Sequence, residues 1–194
     1  MKKSMLFYGM FVFCIATLSL VSCKEKEEED PIVPEEFNYK IGDTCKGGIL
    51  AYIYKAGDPG YDTIKTHGII AAPNDNSVKC IWGCFNTLID GTSTAIGKGA
   101  SNTSLIVSGC EEAAAAIYCN DLSLNGYSDW SLPSKDELNK LYLNKDSIGG
   151  FTADWYWSSS ESTATYAWRQ HFANGTQEAI NKTIEVKVRA VRTF

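Results

Sequence analysis

The sequence predicts an α+β domain with two main helices and an antiparallel, loop-rich sheet, and three stretches carry that prediction. Ser134 stands three residues before Glu137, the spacing of a capping box, in which hydroxyl and carboxylate each accept a backbone N–H at the start of a helix. Residues 111–122 place two acids ahead of an alanine run, which suits the positive end of a helix dipole and then the residue of highest helix propensity. Residues 184–190 alternate apolar and charged side chains, the pattern of a strand with one buried face.

Taken in order, the chain opens on a segment of different character. Lys2 and Lys3 precede an uncharged, mostly apolar run from Met5 to Leu20, the pattern of an export signal over residues 1–22. The run is shorter than the roughly 18–20 residues a spanning helix needs. Leu20-Val-Ser-Cys23 resembles the bacterial lipobox, which implies cleavage before Cys23 and acylation of that residue, so the expected partner at this end is a membrane reached through a lipid anchor. Residues 24–36 hold seven acids against two lysines, a composition that cannot bury apolar surface, and 23–36 reads as an acidic tether. Such a run after a lipidated Cys also looks like a surface-export signal of Gram-negative lipoproteins. Outer-membrane display is therefore the expectation, with a periplasm-facing lipoprotein as the alternative.

Residues 37–194 form the expected domain, with 14 basic and 16 acidic side chains and hence a net charge of −2. A near-neutral domain without a basic stripe excludes nucleic acid as the expected partner. Residues 48–54 and 67–73 read as two strands, joined across the turn sequence Asp58-Pro-Gly60 into a hairpin, with a third short strand at 78–82. Gly97 and Gly99 are too sparse for a phosphate loop and read as an ordered surface turn. Residues 101–107 suit a short helix and 111–122 a stronger one. Pro133 holds Leu132 extended, and Leu138, Leu141 and Tyr142 then repeat at helical spacing, facing whatever Trp130 and Leu132 bury. Residues 155–161 and 165–172 are aromatic strands, Asn174-Gly175 is a hairpin turn, and the segment to Val191 closes the sheet.

Five cysteines lie in the domain, Cys45, Cys80, Cys84, Cys110 and Cys119, and export makes them disulfide candidates, two bridges and one free thiol. Their spacings, x3 and x8 within the closer pairs, differ from zinc knuckles, so neither metal nor cofactor is expected. The two histidines, His67 and His171, stand in no catalytic motif.

Several of these residues together carry a family resemblance. Asp129-Trp-Ser-Leu-Pro-Ser-Lys-Asp-Glu-Leu138, Tyr156-Trp-Ser-Ser-Ser-Glu161, Ala167-Trp168, Phe172, Gly175 and Val188-Arg-Ala-Val-Arg192 resemble the Lcl C-terminal domain family over roughly residues 40–194. Ser131 departs from the arginine common there, and Cys45 and Cys80 are additional. The resemblance implies a C-type-lectin-like fold whose variable loops display a binding surface, with adhesion or glycosaminoglycan binding attributed to the founding member. The expected function is thus a non-catalytic binding or adhesion module for a glycan or protein, not an enzyme. Its expected face holds Trp155, Tyr156, Arg169 and His171, which flank or oppose the packing residues. Two alternatives stand beside it. Residues 132–137 are faintly similar to formylglycine-generating enzymes, and a structural subunit of an envelope assembly fits the same address. The calcium-dependent sugar motifs of C-type lectins are absent from this chain.

Overall fold

The computed structural model describes residues 37–75 and 79–194; the expected export signal, Cys23, the expected tether and Val78 lie outside them. The described chain runs β1 (Thr44–Cys45), β2 (Gly48–Ile53), β3 (Gly68–Ala71), α1 (Gly99–Gly109), α2 (Ala114–Asn120), α3 (Lys135–Leu143), α4 (Lys145–Ile148), β4 (Trp155–Glu161), β5 (Tyr166–His171), β6 (Gln177–Asn181) and β7 (Val191–Thr193). The architecture is α+β with two antiparallel sheets, β1-β2-β3-β7 and β4-β5-β6. Among the described residues no helix is long and apolar enough to cross a membrane.

The expected amino-terminal hairpin is present as β2–β3, with Leu50 opposite Ile70 and a bulge at Ala51. Every residue of β3 is buried, so its apolar run is covered on both faces. The outer edge of β3 pairs with β7, Ile70 opposite Arg192, which joins the two ends of the domain in one sheet. There Arg192 holds both oxygens of Asp129, at 2.7 and 2.8 Å, and donates to the Lys46 carbonyl at 3.0 Å. The Arg192 hydrogen bonds hold the Asp129 carboxyl below its ordinary value of 3.8. Stability from this pair is therefore fully present above 3.8 and lost as pH falls through the depressed folded value. Asp129→Asn is expected to flatten that part of the acid limb in thermal melts taken from neutral pH downward.

Two sequence expectations are corrected here. The stronger helix was placed at 111–122, but α1, of 11 residues, is the longer and α2 has only 7. The chain before α2 is held from outside the helix: Cys110 is bonded to Cys84, and the Ala115 N–H donates to the Ile81 carbonyl at 3.2 Å. Glu111 and Glu112 consequently sit in a turn. The strand expected over 184–190 is instead an irregular spine, because its partners are single residues on either side, Cys80 opposite Val186 and Tyr156 beside Lys187. The third strand expected at 78–82 reduces, within the described residues, to that same Cys80 bridge. Val186, Val188 and Ala190 face inward as alternation requires, but Arg189 is buried as well, its charge met by Asp75 at 2.6 Å and by the carbonyls of Gly150 and Ala72 at 2.6 and 2.9 Å.

The capping box of α3 is formed, with Ser134 Oγ accepting from the Glu137 N–H at 3.2 Å and Glu137 Oε2 from the Ser134 N–H at 2.8 Å. Trp130 and Leu132 enter one core cluster with Leu50, Ile70, Trp82, Ile106 and Trp157; Leu138 and Leu141 enter a second with Ile69, Tyr156 and Phe172. Gly97 and Gly99 do close on an anion, and it is internal: both backbone N–H groups donate to the Glu137 carboxylate.

Candidate ligand-binding face

The face is built where β4 and β5 diverge from the core. Alternation along β5 sends Trp168 and Gln170 toward α3, where Lys135 lies 3.8 Å over the Trp168 ring and Gln170 donates to Asn139 at 2.8 Å. Arg169 and His171 therefore point the other way. On β4, Trp155 is directly opposite His171, and Trp157 opposite Arg169. Three of the four residues expected from the sequence come together as a result. The Arg169 guanidinium lies 4.0 Å from the Trp155 ring centroid, and the His171 ring meets the same indole edge-on at 4.8 Å.

Tyr156 is the exception and a correction. It occupies the opposite face of β4, fully buried, where its ring packs 4.4 Å from Phe172 and 5.5 Å from Phe151. Its hydroxyl donates to Asp75 at 2.6 Å and accepts from the Thr152 N–H at 2.9 Å. Burial first, and the bond to Asp75 second, push its pKa up to about 12. Its neighbour Trp155 is half-buried, so one step along the strand separates core from surface.

Three further side chains complete the face. Glu178, across from Arg169 on β6, accepts from its Nε and Nη2 at 3.1 and 2.6 Å and fixes the guanidinium over the indole. The connection between the strands is the four residues 172–175, whereas a two-residue Asn174-Gly175 turn would set Arg169 against Ile180, so this contact had no sequence signal. Asp154 accepts from the Trp155 N–H at 2.8 Å and pairs with Lys79 at 2.8 Å, a contact between distant segments with no such signal either. Burial pushes the Asp154 carboxyl up, but the Lys79 and Trp155 hydrogen bonds outweigh it and leave the pKa below its usual value. The Ala173 N–H donates to His171 Nδ1 at 3.3 Å, which makes Nε2 the donor nitrogen of the neutral ring.

Past the Trp155–His171 pair the two chains continue into Ala153 and Ala173, which line a concavity of about 550 Å³ with Gly149, Gly150, Phe151, Phe172 and Lys145. Its back is firm, since Arg189 stacks 4.0 Å from the Phe151 ring. The charged lining of the hollow is the Lys145–Asp146 pair, at 3.3 Å, and the aromatic–guanidinium stack beside it adds the imidazole and the Lys79–Asp154 pair, so the face offers hydrogen-bond donors, acceptors and stacking surface. Paired charges and a stacking surface suit a hydroxylated ligand held without covalent change.

The remaining sequence candidates lie elsewhere. His67 Nδ1 lies 2.9 Å from the Phe194 carbonyl oxygen at the end of the larger sheet. Cys84 and Cys110 form a disulfide, and Cys45, Cys80 and Cys119 carry thiols. Among the described residues no three potential metal ligands gather.

The family model for the Lcl C-terminal domain matches residues 74–192, more than half of the chain and all of the face just described. Among curated proteins nothing matches. Among solved structures, the chain is similar to a fimbrial protein from Bacteroides ovatus ATCC 8483, with 13% identity and a TM-score of 0.51. The likeness covers 80% of this chain and 45% of that one, and at this identity it concerns the fold alone.

Proposed function

Because the chain belongs to the Lcl C-terminal domain family, we propose that it is a non-catalytic adhesion module of the cell envelope that takes a glycan or protein ligand on the Trp155–Arg169–His171 face. The observation that carries this reading is the guanidinium clamped between Trp155 and Glu178. An arginine fixed in this way spends little entropy on meeting a hydroxylated group. The two antiparallel sheets and the capped helix α3 support a C-type-lectin-like arrangement, in which such a face lies among the loops. The lipobox-like residues 20–23 and the acidic run after them support display from the outer membrane, because two or more acyl chains on Cys23 would hold the protein to a bilayer without a spanning helix.

Arrays of neutral, sulfated and carboxylated glycans, probed with the purified full-length protein, test the ligand class. Once a ligand is found, Trp155→Ala and Arg169→Ala are each expected to weaken binding about tenfold, the loss of roughly 1–2 kcal/mol of stacking and charge-assisted contact. Unchanged binding in both variants sinks the assignment of this face. Cys23→Ser is expected to release the protein from the membrane fraction, and protease treatment of intact cells separates outward display from periplasmic retention.

The second reading, a structural subunit of an envelope assembly, draws on the fimbrial protein whose fold this chain resembles. It predicts that deletion of the chain disrupts a surface polymer while the purified protein leaves every glycan unbound.

A further inference from the structure

Residues 80–84 run antiparallel to the stretch 110–119, and the contacts between them climb in step. Cys84 is bonded to Cys110. Gly83 comes next, with φ +93°, and a Cβ added there would come within 2.7 Å of the Ala113 Cα, so the two backbones touch. The Ile81 carbonyl then accepts from the Ala115 N–H at 3.2 Å. One step further out on each side stand Cys80 and Cys119. Cys119 lies one helical turn beyond Ala115, on the same buried face of α2, and Cys80 packs against the same core cluster.

We infer that Cys80 and Cys119 are the second disulfide of this domain, closing the far end of the ladder that Cys84–Cys110 closes at the near end, with Cys45 left as the unpaired thiol. Cys45 sits on β1, where the neighbouring charges are those of Lys46 and Asp43. Cys119, by contrast, is fully buried one turn from Ala115, whose N–H is bonded to the residue next to Cys80. The backbone of Cys80 is already fixed: its N–H and carbonyl both pair with Val186 at 3.0 Å, and the carbonyl also accepts from Trp157 Nε1 at 3.0 Å. Closure therefore has little backbone left to order.

The oxidant is a disulfide donor, either a protein of the thiol-oxidase class or oxidised glutathione. The thiolate of Cys80, the more accessible of the two, attacks one donor sulfur and forms a mixed disulfide, releasing the first donor thiol. The Cys119 thiolate then displaces the second. Two protein thiols lose two electrons and two protons, and the donor disulfide gains them as two thiols. Burial holds the Cys80 thiol up at about 11, so little thiolate is present at neutral pH and the first step is slow without a catalyst.

The test is peptide mass mapping of the full-length protein, recovered from the envelope or treated with oxidised glutathione, then alkylated under denaturing conditions without reductant. The expected map holds a Cys80–Cys119 cross-link beside Cys84–Cys110, with label on Cys45 alone among the domain cysteines. Cys80→Ser, at the less buried site, is expected to expose Cys119 to label and leave Cys84–Cys110 intact. Cys119→Ser does the converse where it accumulates. Label on both Cys80 and Cys119 after oxidation, or a cross-link from either to Cys45, overturns the inference.

Discussion

Replacing Glu137 by alanine is expected to destabilise the domain by about 3–5 kcal/mol, since it strands several buried donors at about 1–3 kcal/mol each. The carboxylate is 1% exposed and accepts from the Ser134 and Gly97 N–H groups, both at 2.8 Å, and from Gly99 as well. Gly99 opens α1, whose N-cap residue, Lys98, supplies no side-chain hydrogen bond. One acid thus caps its own helix α3 and the start of α1, so the two helices share a single negative charge at their positive ends. Burial nevertheless raises the Glu137 pKa, the backbone hydrogen bonds offsetting it only in part. The sign of the pH effect follows. The folded state holds this proton more tightly than the unfolded state, so the contribution to stability is fully present below the ordinary value of 4.5 and declines as pH rises through the folded value. Glu137→Gln keeps one acceptor oxygen and is expected to cost less, roughly 1–2 kcal/mol, and to remove that pH dependence. Urea unfolding on either side of the carboxylate range measures both effects. An alanine variant within about 1 kcal/mol of the parent would rule out the shared cap.

Lys182→Met is expected to cost a similar amount, about 3–5 kcal/mol, because it leaves a buried carboxylate without its counter-charge. Lys182 is fully buried and pairs with Glu161, itself only 4% exposed at the side chain. The ammonium also donates to the carbonyls of Thr87 and Cys84, at 3.0 and 3.4 Å, and sits 4.6 Å over the Trp82 ring. Glu161 accepts in turn from the Ile89 N–H at 3.0 Å, so the pair fastens the loop that leads away from Cys84 to the smaller sheet. The double variant Lys182→Met with Glu161→Gln is expected to lose clearly less than the sum of the singles, since no charge is then stranded. Additive losses in a double-mutant cycle would show that the two side chains act independently.

What the sequence disclosed follows the range of the interactions. The α3 cap was legible because Ser134 and Glu137 are three residues apart, and the β5–β6 hairpin because Asn174-Gly175 marks a turn, though not its register. Trp155, Arg169 and His171 share one face because strand alternation is a local rule. Tyr156 was misplaced for a related reason: an aromatic run looks the same on both faces until something packs against one of them. Arg189 was read as the polar side of a strand, and Lys182 fell in no expected element. Their partners, Asp75 and Glu161, belong to other segments, and no spacing rule ties such positions together. The helix at 111–122 was overlong because propensity does not register a carbonyl from Ile81 taking one of its first N–H groups.

The pairing of β3 with β7 sets the order in which this domain can be finished. Ile69, Ile70 and Ala71 remain an open, sticky edge until residues 191–193 have emerged, so the larger sheet is completed only after nearly all of the domain has been synthesised.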